Sequence, residues 1–304
     1  MLDNDLMIRV TAPTEGRNPR TLDLDLLSTR DLLATLNAED ATVPGAVAGV
    51  LDALAGVVDR AVAALAAGGS VHYFGAGTSG RLGCLDAAEI PPTYGVPAGW
   101  FQAHLAGGPG AMWHAVENAE DDFEAGEAEA LASVHPGDVV IGIAASGRTP
   151  YVLGALAAST PDCFTVLICS NPAAIAHVDV LVAPDTGPEP VLGSTRMKAA
   201  TAQKLILNAF STATMVRLGR VYSNLMVDLS AANAKLRGRR LSLLMEATGV
   251  TEAVATTALA EAGDELKVAL VTLLAGVTTV QARAALITSE DQVRKALVLL
   301  TSGA

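Results

Sequence analysis

Cysteine, basic residues and long apolar runs are all scarce in this chain of 304 residues, and each shortage closes off a class of protein. The three cysteines, Cys84, Cys163 and Cys169, are odd in number and share no metal-ligand spacing, so they read as reduced thiols rather than a disulfide frame. Lys and Arg number 20 against 32 Asp and Glu, for a formal charge of −12, which argues against nucleic acid or an anionic membrane as partner. The histidines, His72, His104, His114, His135 and His177, are scattered without ligand spacing, so no metal is expected. Apolar runs stop well short of the ~18 residues of a membrane span. The first residues, with Asp3 and Asp5, lack the basic region and apolar core of a signal peptide. The expectation is a soluble, cytoplasmic protein.

What the chain does have is apolar bulk and alternation. With 51% of residues hydrophobic, a sizeable core is within reach on area grounds, as one large domain or a medium one with an appendage. Residues 1–27 read as extended and loop-like, and Ser28-Thr-Arg-Asp31 resembles a capping box that opens a helix to about Asn37. Pro44 opens a longer amphipathic helix to Ala67, ended by Gly68-Gly69. Strand candidates follow at 70–75, 99–104, 138–144, 164–169 and 179–183, with helices near 79–89, 109–118, 123–132 and 150–158. This alternation predicts an α/β fold, a parallel sheet with helices on both faces and ligands at the carboxyl ends of the strands. Beyond Pro190 the pattern turns helical, with long helices over 194–218 and 226–248, then three or four short ones separated by Gly263, Gly276 and Thr278-Thr279. The expected division is a main domain with an N-terminal helical arm over 1–245 and a small all-helical module over 246–304.

The most chemical stretch runs from Gly75-Ala-Gly-Thr-Ser-Gly-Arg81 to Asp86-Ala-Ala-Glu89-Ile-Pro-Pro92. A strand leads into a glycine-rich turn and a short helix, so N–H groups and hydroxyls converge where a helix begins, an arrangement that holds an anion such as phosphate. The double proline reads as the helix stop, and Glu89 before it is a carboxylate that anion binding does not explain. Residues 75–80 also match the dinucleotide fingerprint G-x-G-x-x-G, but the next strand candidate carries no Asp or Glu to hold a ribose. A second hydroxyl-rich turn, Ala144-Ala-Ser146-Gly-Arg-Thr149-Pro150, follows another strand. Two such turns on parallel strands suit one phosphosugar better than a nicotinamide cofactor. Its phosphate must be drawn in by local dipoles and a few cations, because the net charge repels it.

Seven segments carry a family resemblance: Thr14-Glu-Gly-Arg-Asn18, Gly75 to Gly83, Asp86-Ala-Ala-Glu-Ile-Pro-Pro-Thr-Tyr-Gly-Val96, Val116-Glu-Asn-Ala-Glu-Asp-Asp122, Gly142 to Val152, Gly193-Ser-Thr-Arg-Met-Lys198 with Thr201 to Lys204, and Asn224-Leu-Met-Val-Asp228. In that order, and nearly end to end, they resemble the N-acetylmuramic acid 6-phosphate etherase family of the sugar isomerase (SIS) fold group. The resemblance implies a three-layer α/β/α SIS-type domain, a ubiquitin-associated-like helical module, a homodimer and no metal or organic cofactor. It implies cleavage of the D-lactyl ether of N-acetylmuramic acid 6-phosphate to N-acetylglucosamine 6-phosphate and D-lactate in peptidoglycan recycling. Three positions depart from the family pattern: Asn118 and Ala200 stand where Gly is usual, and Leu192 where Thr is usual.

The resemblance maps the two family carboxylates onto Glu89, as proton donor to the leaving lactate, and Glu120, as base or water-orienting partner. Phosphate ligands carry over to the hydroxyls of Thr78, Ser79, Ser146 and Thr149 and the N–H groups of Gly77 and Gly80. Arg196 supplies positive charge, Lys198 and Lys204 are weaker candidates, and Glu189 between two prolines is a sugar contact without a catalytic role. Among the histidines His104 is a candidate for ring opening. Ten helical residues span ~15 Å, so Glu89 is expected far from a phosphate held at the start of its own helix and could serve a neighbouring subunit's site. The rival readings are a phosphosugar isomerase and a non-enzymatic phosphosugar-binding regulator on the same fold.

Overall fold

The computed structural model describes residues 12–159, 161–228 and 234–302, so the start of the loop expected over 1–27 and residues 229–233 of the helix expected from Met226 lie outside the described residues. The chain forms two compact units, one running to Ala87 and resuming over Gly99–Phe210, the other made of Ala88–Ala98 and the chain from Ser211. Among the described residues no single helix is long and apolar enough to cross a membrane.

The first unit begins with helices α1 (Thr29–Asp40), α2 (Val43–Ala48) and α3 (Leu51–Ala66). Strand β1 (Val71–Gly75) leads into α4 (Gly77–Tyr94), then β2 (Phe101–Leu105), α5 (Phe123–Ser133), β3 (Val139–Ile143), α6 (Pro150–Ser159), β4 (Phe164–Ile168), β5 (Val180–Val182) and α7 (Lys198–Arg217), with α4 beyond Ala87 and α7 beyond Phe210 counted in the second unit. The strands form one sheet in the order β2-β1-β3-β4-β5, every pair parallel. Every residue of β1 and β3 is buried, which is why β3 reads as an unbroken apolar run rather than an alternating one, while β1 buries His72 among its apolar residues.

Alternation instead sorts the side chains between two helical layers. Phe74, Val140 and Leu167 pack in one cluster with Tyr151, Val152 and Leu156 of α6. Tyr73 points to the opposite face, where its ring meets Phe210 of α7 at 6.4 Å and its hydroxyl donates to Asp86 of α4 at 2.9 Å. Asn208 of α7 donates to the other Asp86 oxygen at 2.8 Å, so one buried carboxylate ties β1, α4 and α7 together. Each fully buried aliphatic or aromatic side chain here contributes about 1.5–3 kcal/mol.

The five strands of the sheet lie where the sequence put them, but four of the helices expected before Met226 do not. The helix from Pro44 is broken at Gly49-Val50 into α2 and α3. The helix expected near 109–118 is only a 3-10 turn, Pro109–Met112, because Gly107 and Gly108 take φ of 83° and 74° and favour a loop. Helix α4 runs through Pro91 and Pro92 to Tyr94 instead of stopping there. Proline's φ is helical, so the backbone can carry on through both residues although each removes an N–H donor to the preceding turn; Gly95 at φ 63° makes the actual stop, its N–H donating to the Pro91 carbonyl at 2.9 Å. Helix α7 starts at Lys198 rather than Ser194, after Gly193 at φ 74°.

In the second unit Met226 lies in a strand, not a helix: β6 (Val221–Tyr222) and β7 (Leu225–Met226) form an antiparallel hairpin turned by Ser223 at φ 55°. Helices α8 (Ala234–Thr248), α9 (Glu252–Glu261), α10 (Leu266–Ala275), α11 (Thr279–Thr288) and α12 (Val293–Ser302) follow. Leu244, Leu259, Leu266, Leu270 and Leu286 share one buried cluster. Gly276 ends α10 in the left-handed region, and Thr278 with Gln281 forms a capping box that starts α11.

Candidate active site

The first hydroxyl-rich turn exists because two glycines allow it. A Cβ on Gly80 would lie 2.5 Å from the Gly75 carbonyl oxygen, and one on Gly75 would lie 2.7 Å from Gly80, so only glycine lets the first turn of α4 fold against the end of β1. Gly77 begins that helix at φ 52° and presents Thr78 and Ser79, whose N–H groups precede the first helical bond, from Gly80 to the Ala76 carbonyl at 3.2 Å. The second turn is pinned to the neighbouring strand's end: Ser170 N–H donates to the Ala145 carbonyl at 2.9 Å, and Asn171 Nδ2 donates to the Ser146 carbonyl at 3.0 Å. Because β1 and β3 are adjacent, with Gly75 beside Ile143, both turns open at the same carboxyl edge of the sheet.

Between them lies a cavity of about 440 Å³. Gly77, Thr78, Ser79, Ser146, Arg148 and Thr149 line it from the two turns. Glu120 and Asp121 enter from the short 3-10 turn Ala119–Asp121, and Glu15 and Thr195 from two further loops. A smaller cavity of about 210 Å³ shares Ala76, Gly77 and Glu120 with it. Its lining includes Arg81, whose Nε donates to the Ala111 and Met112 carbonyls and holds that loop in place. Asn118, just before the Glu120 turn, sits at φ 62°. Left-handed backbone explains why glycine is at home there and why asparagine is the tolerated exception.

Six of the expected residues thus meet: Gly77, Thr78, Ser79, Ser146, Thr149 and Glu120. Gly80 is buried beneath them at the turn, and its N–H, expected on the phosphate, donates instead to the Ala76 carbonyl at 3.2 Å. Arg196 is exposed, and it is its neighbour Thr195 that lines the cavity. Glu89 is exposed on α4 and does not belong to the cavity lining. Sequence reasoning passed over Glu15, Asp121, Arg148 and Thr195 as site residues, although all lie inside the quoted family segments; their neighbours in the motifs were the available signal.

Three other candidates turn out to have structural duties. Glu189 is fully buried and accepts from the N–H groups of Lys198 at 2.8 Å and Ala199 at 2.9 Å, so it caps α7. Burial pushes its carboxyl up from the ordinary value. Lys198 is 1% exposed, and its Nζ lies 3.1 Å from Glu39 Oε2. Hydrogen bonding from Arg20 holds the Glu39 carboxyl down at about 2. His104 sits in a buried polar chain: Nε2 is 3.0 Å from His72 Nδ1, and Nδ1 is 3.1 Å from Glu129, which also accepts from the Tyr151 hydroxyl. Burial pushes the His72 imidazole down to about 4, so that end of the chain is neutral at pH 7. Among the described residues no His, Cys, Asp or Glu side chains cluster as a metal site.

The cavity can therefore offer hydroxyls, free N–H groups and one guanidinium to an anion, and carboxylates to the rest of a polar ligand. Residues 53–160 match the family model of the glucokinase regulatory protein N-terminal SIS domain. Over 87% of its length the chain is 58% identical to N-acetylmuramic acid 6-phosphate etherase of Thermobifida fusca, covering 88% of that protein. It is 52% identical to the protein of that name from Serratia proteamaculans over 86% of the chain and 90% of that protein. Among solved structures, a Bacteroides fragilis protein described as a phosphosugar isomerase of capsule formation superposes with a TM-score of 0.50 at 19% identity, over 65% of this chain and 95% of that one, a likeness of fold alone.

Proposed function

The chain belongs to the N-acetylmuramic acid 6-phosphate etherase family, and from that premise we propose that it cleaves the D-lactyl ether of N-acetylmuramic acid 6-phosphate. The products are N-acetylglucosamine 6-phosphate and D-lactate, and the role is amino-sugar recycling. The observation that best supports the reading is the convergence of both hydroxyl-rich turns and the Glu120 carboxylate on one cavity.

An ether at carbon 3 is a poor leaving group, so the reaction proceeds by elimination. Ring opening exposes an aldehyde at carbon 1 and acidifies the carbon 2 proton. A carboxylate removes that proton while a carboxylic acid protonates the departing lactyl oxygen, leaving a double bond between carbons 2 and 3. Water then adds, its oxygen to carbon 3 and a proton to carbon 2. The work needs one carboxyl that starts ionised and one that starts protonated. Glu120 takes the part of base or water-orienting group, and Glu89 that of proton donor. The Thr78, Ser79, Ser146 and Thr149 hydroxyls and the Gly77 N–H group hold the phosphate.

We further read the protein as a cytoplasmic homodimer with a ubiquitin-associated-like module over residues 246–304, in which Glu89 acts on a neighbouring subunit's site. Incubation with N-acetylmuramic acid 6-phosphate and assay of D-lactate tests the reaction. Release of lactate is the expected result; phosphosugar isomerisation without lactate, or tight binding without turnover, would favour the rival readings.

A further inference from the structure

We propose that Glu15 is a substrate-binding residue of this cavity, its carboxylate accepting hydrogen bonds from hydroxyls of the sugar chain. The proposal deepens the etherase reading and rests on it for the identity of the ligand.

The cavity's charge balance is the first argument. Among the described residues, Glu15, Glu120 and Asp121 line it beside one guanidinium, that of Arg148. Carboxylates repel a phosphate, so they serve a different part of the ligand. An ionised carboxylate only accepts hydrogen bonds, and a polyhydroxy chain supplies the donors. Among the described residues no side chain pairs with the Glu15 carboxylate, although the residue is only partly exposed.

The second argument is how firmly Glu15 is held. Thr14 beside it is fully buried, and the Glu15 N–H donates to the Ala12 carbonyl at 2.9 Å. Asn18 Nδ2 donates to Glu39 Oε2 at 2.7 Å and to the Pro188 carbonyl at 3.3 Å. Lys198 Nζ reaches the same two acceptors at 3.1 and 3.2 Å. The Asn18 amide thus ties the Glu15 segment to the buried Lys198–Glu39 ion pair and to Pro188, at the two ends of the loop that carries Thr195. Burying such a pair costs desolvation free energy that apolar residues would avoid. Fixing two cavity-lining side chains in register gives it a purpose. Gly193 completes the arrangement: a Cβ there would lie 3.3 Å from Glu15 Oε2, so its absence leaves the carboxylate room.

The test is steady-state kinetics of E15A and E15Q on N-acetylmuramic acid 6-phosphate, with inorganic phosphate as competitive inhibitor and thermal melts as folding control. A lost charged hydrogen bond raises KM roughly 10- to 100-fold for E15A, less for E15Q, with kcat within a few-fold and the phosphate inhibition constant unchanged. An unchanged KM would overturn the proposal, as would a fall in kcat alone, which would make Glu15 a proton-transfer group. Parallel loss of phosphate inhibition would mean a general collapse of the cavity and would overturn it as well. Should E15A fail to fold, E15Q carries the same comparison. If the wild type releases no lactate, the etherase reading fails by itself. Calorimetry of glucosamine 6-phosphate against inorganic phosphate then still tests Glu15, since E15A must lose the sugar phosphate selectively.

Discussion

Each unit contains a charged cavity, about 440 Å³ in the sheet unit and about 550 Å³ in the helical unit, and the larger holds the more fully paired charges. In the helical unit, Lys267 lies 2.6 Å from Asp228 and 2.5 Å from Asp291. Arg283 donates to the Ala262 carbonyl and Glu265, and Arg240 to the Asp264 carbonyl. Those charges satisfy one another, so the cavity is an ionic joint between helix ends. In the sheet unit the hydroxyls of Thr78, Ser79 and Thr149 and the carboxylates of Glu15, Glu120 and Asp121 have no side-chain partner among the described residues. Size does not separate a binding site from a structural gap; unspent hydrogen-bonding capacity does.

Mutation sharpens that contrast. The largest effects belong to the chemistry: Glu120→Gln and Glu89→Ala each lower D-lactate release by roughly 10²–10⁴ with unchanged melting. If Glu89 serves a neighbouring subunit, mixing its variant with a Ser146→Ala variant restores part of the activity, and a mixture no better than its components argues for action within one chain.

Acid exposes the next difference, because the sheet unit carries the strongly shifted buried groups. His72 is held down at about 4 against an ordinary 6.5, so its contribution is full above pH 6.5 and fades as pH falls toward 4. Glu39 is held at about 2 against 4.5, so its contribution is full above pH 4.5 and is lost toward pH 2, about 3 kcal/mol in all. Denaturant midpoints across this range decline in two steps, and Glu39→Gln abolishes the lower one.

In the helical unit, Lys267→Met strands two aspartates and lowers stability by about 2 kcal/mol, while affinity for inorganic phosphate stays unchanged. Weakened phosphate binding would mean that the joint has a functional part. The smallest effect is local: Asn118→Ala costs about 1–2 kcal/mol at a left-handed position, whereas Asn118→Gly is neutral or mildly stabilising, as read by thermal melts.

The parallel sheet was legible because fully buried strands leave unbroken apolar runs, such as Val139-Val-Ile-Gly-Ile143, between glycine-rich turns. Helix boundaries were less so. Pro91 and Pro92 read as a stop, yet α4 runs on through them to Tyr94, and the helix expected from Met226 hid a short hairpin. Among site residues, Glu189 and Lys198 looked like ligand contacts by type, yet burial made one a helix cap and the other half of an ion pair.

By itself the sequence determined the five parallel strands, the two glycine- and hydroxyl-rich turns and the family, since each is written in local residue patterns. Only the tertiary structure decided which polar side chains stay unpaired at a shared cavity. Pairing depends on partners distant in the chain, as with Glu39 and Lys198, 159 residues apart, and no local pattern records such a meeting.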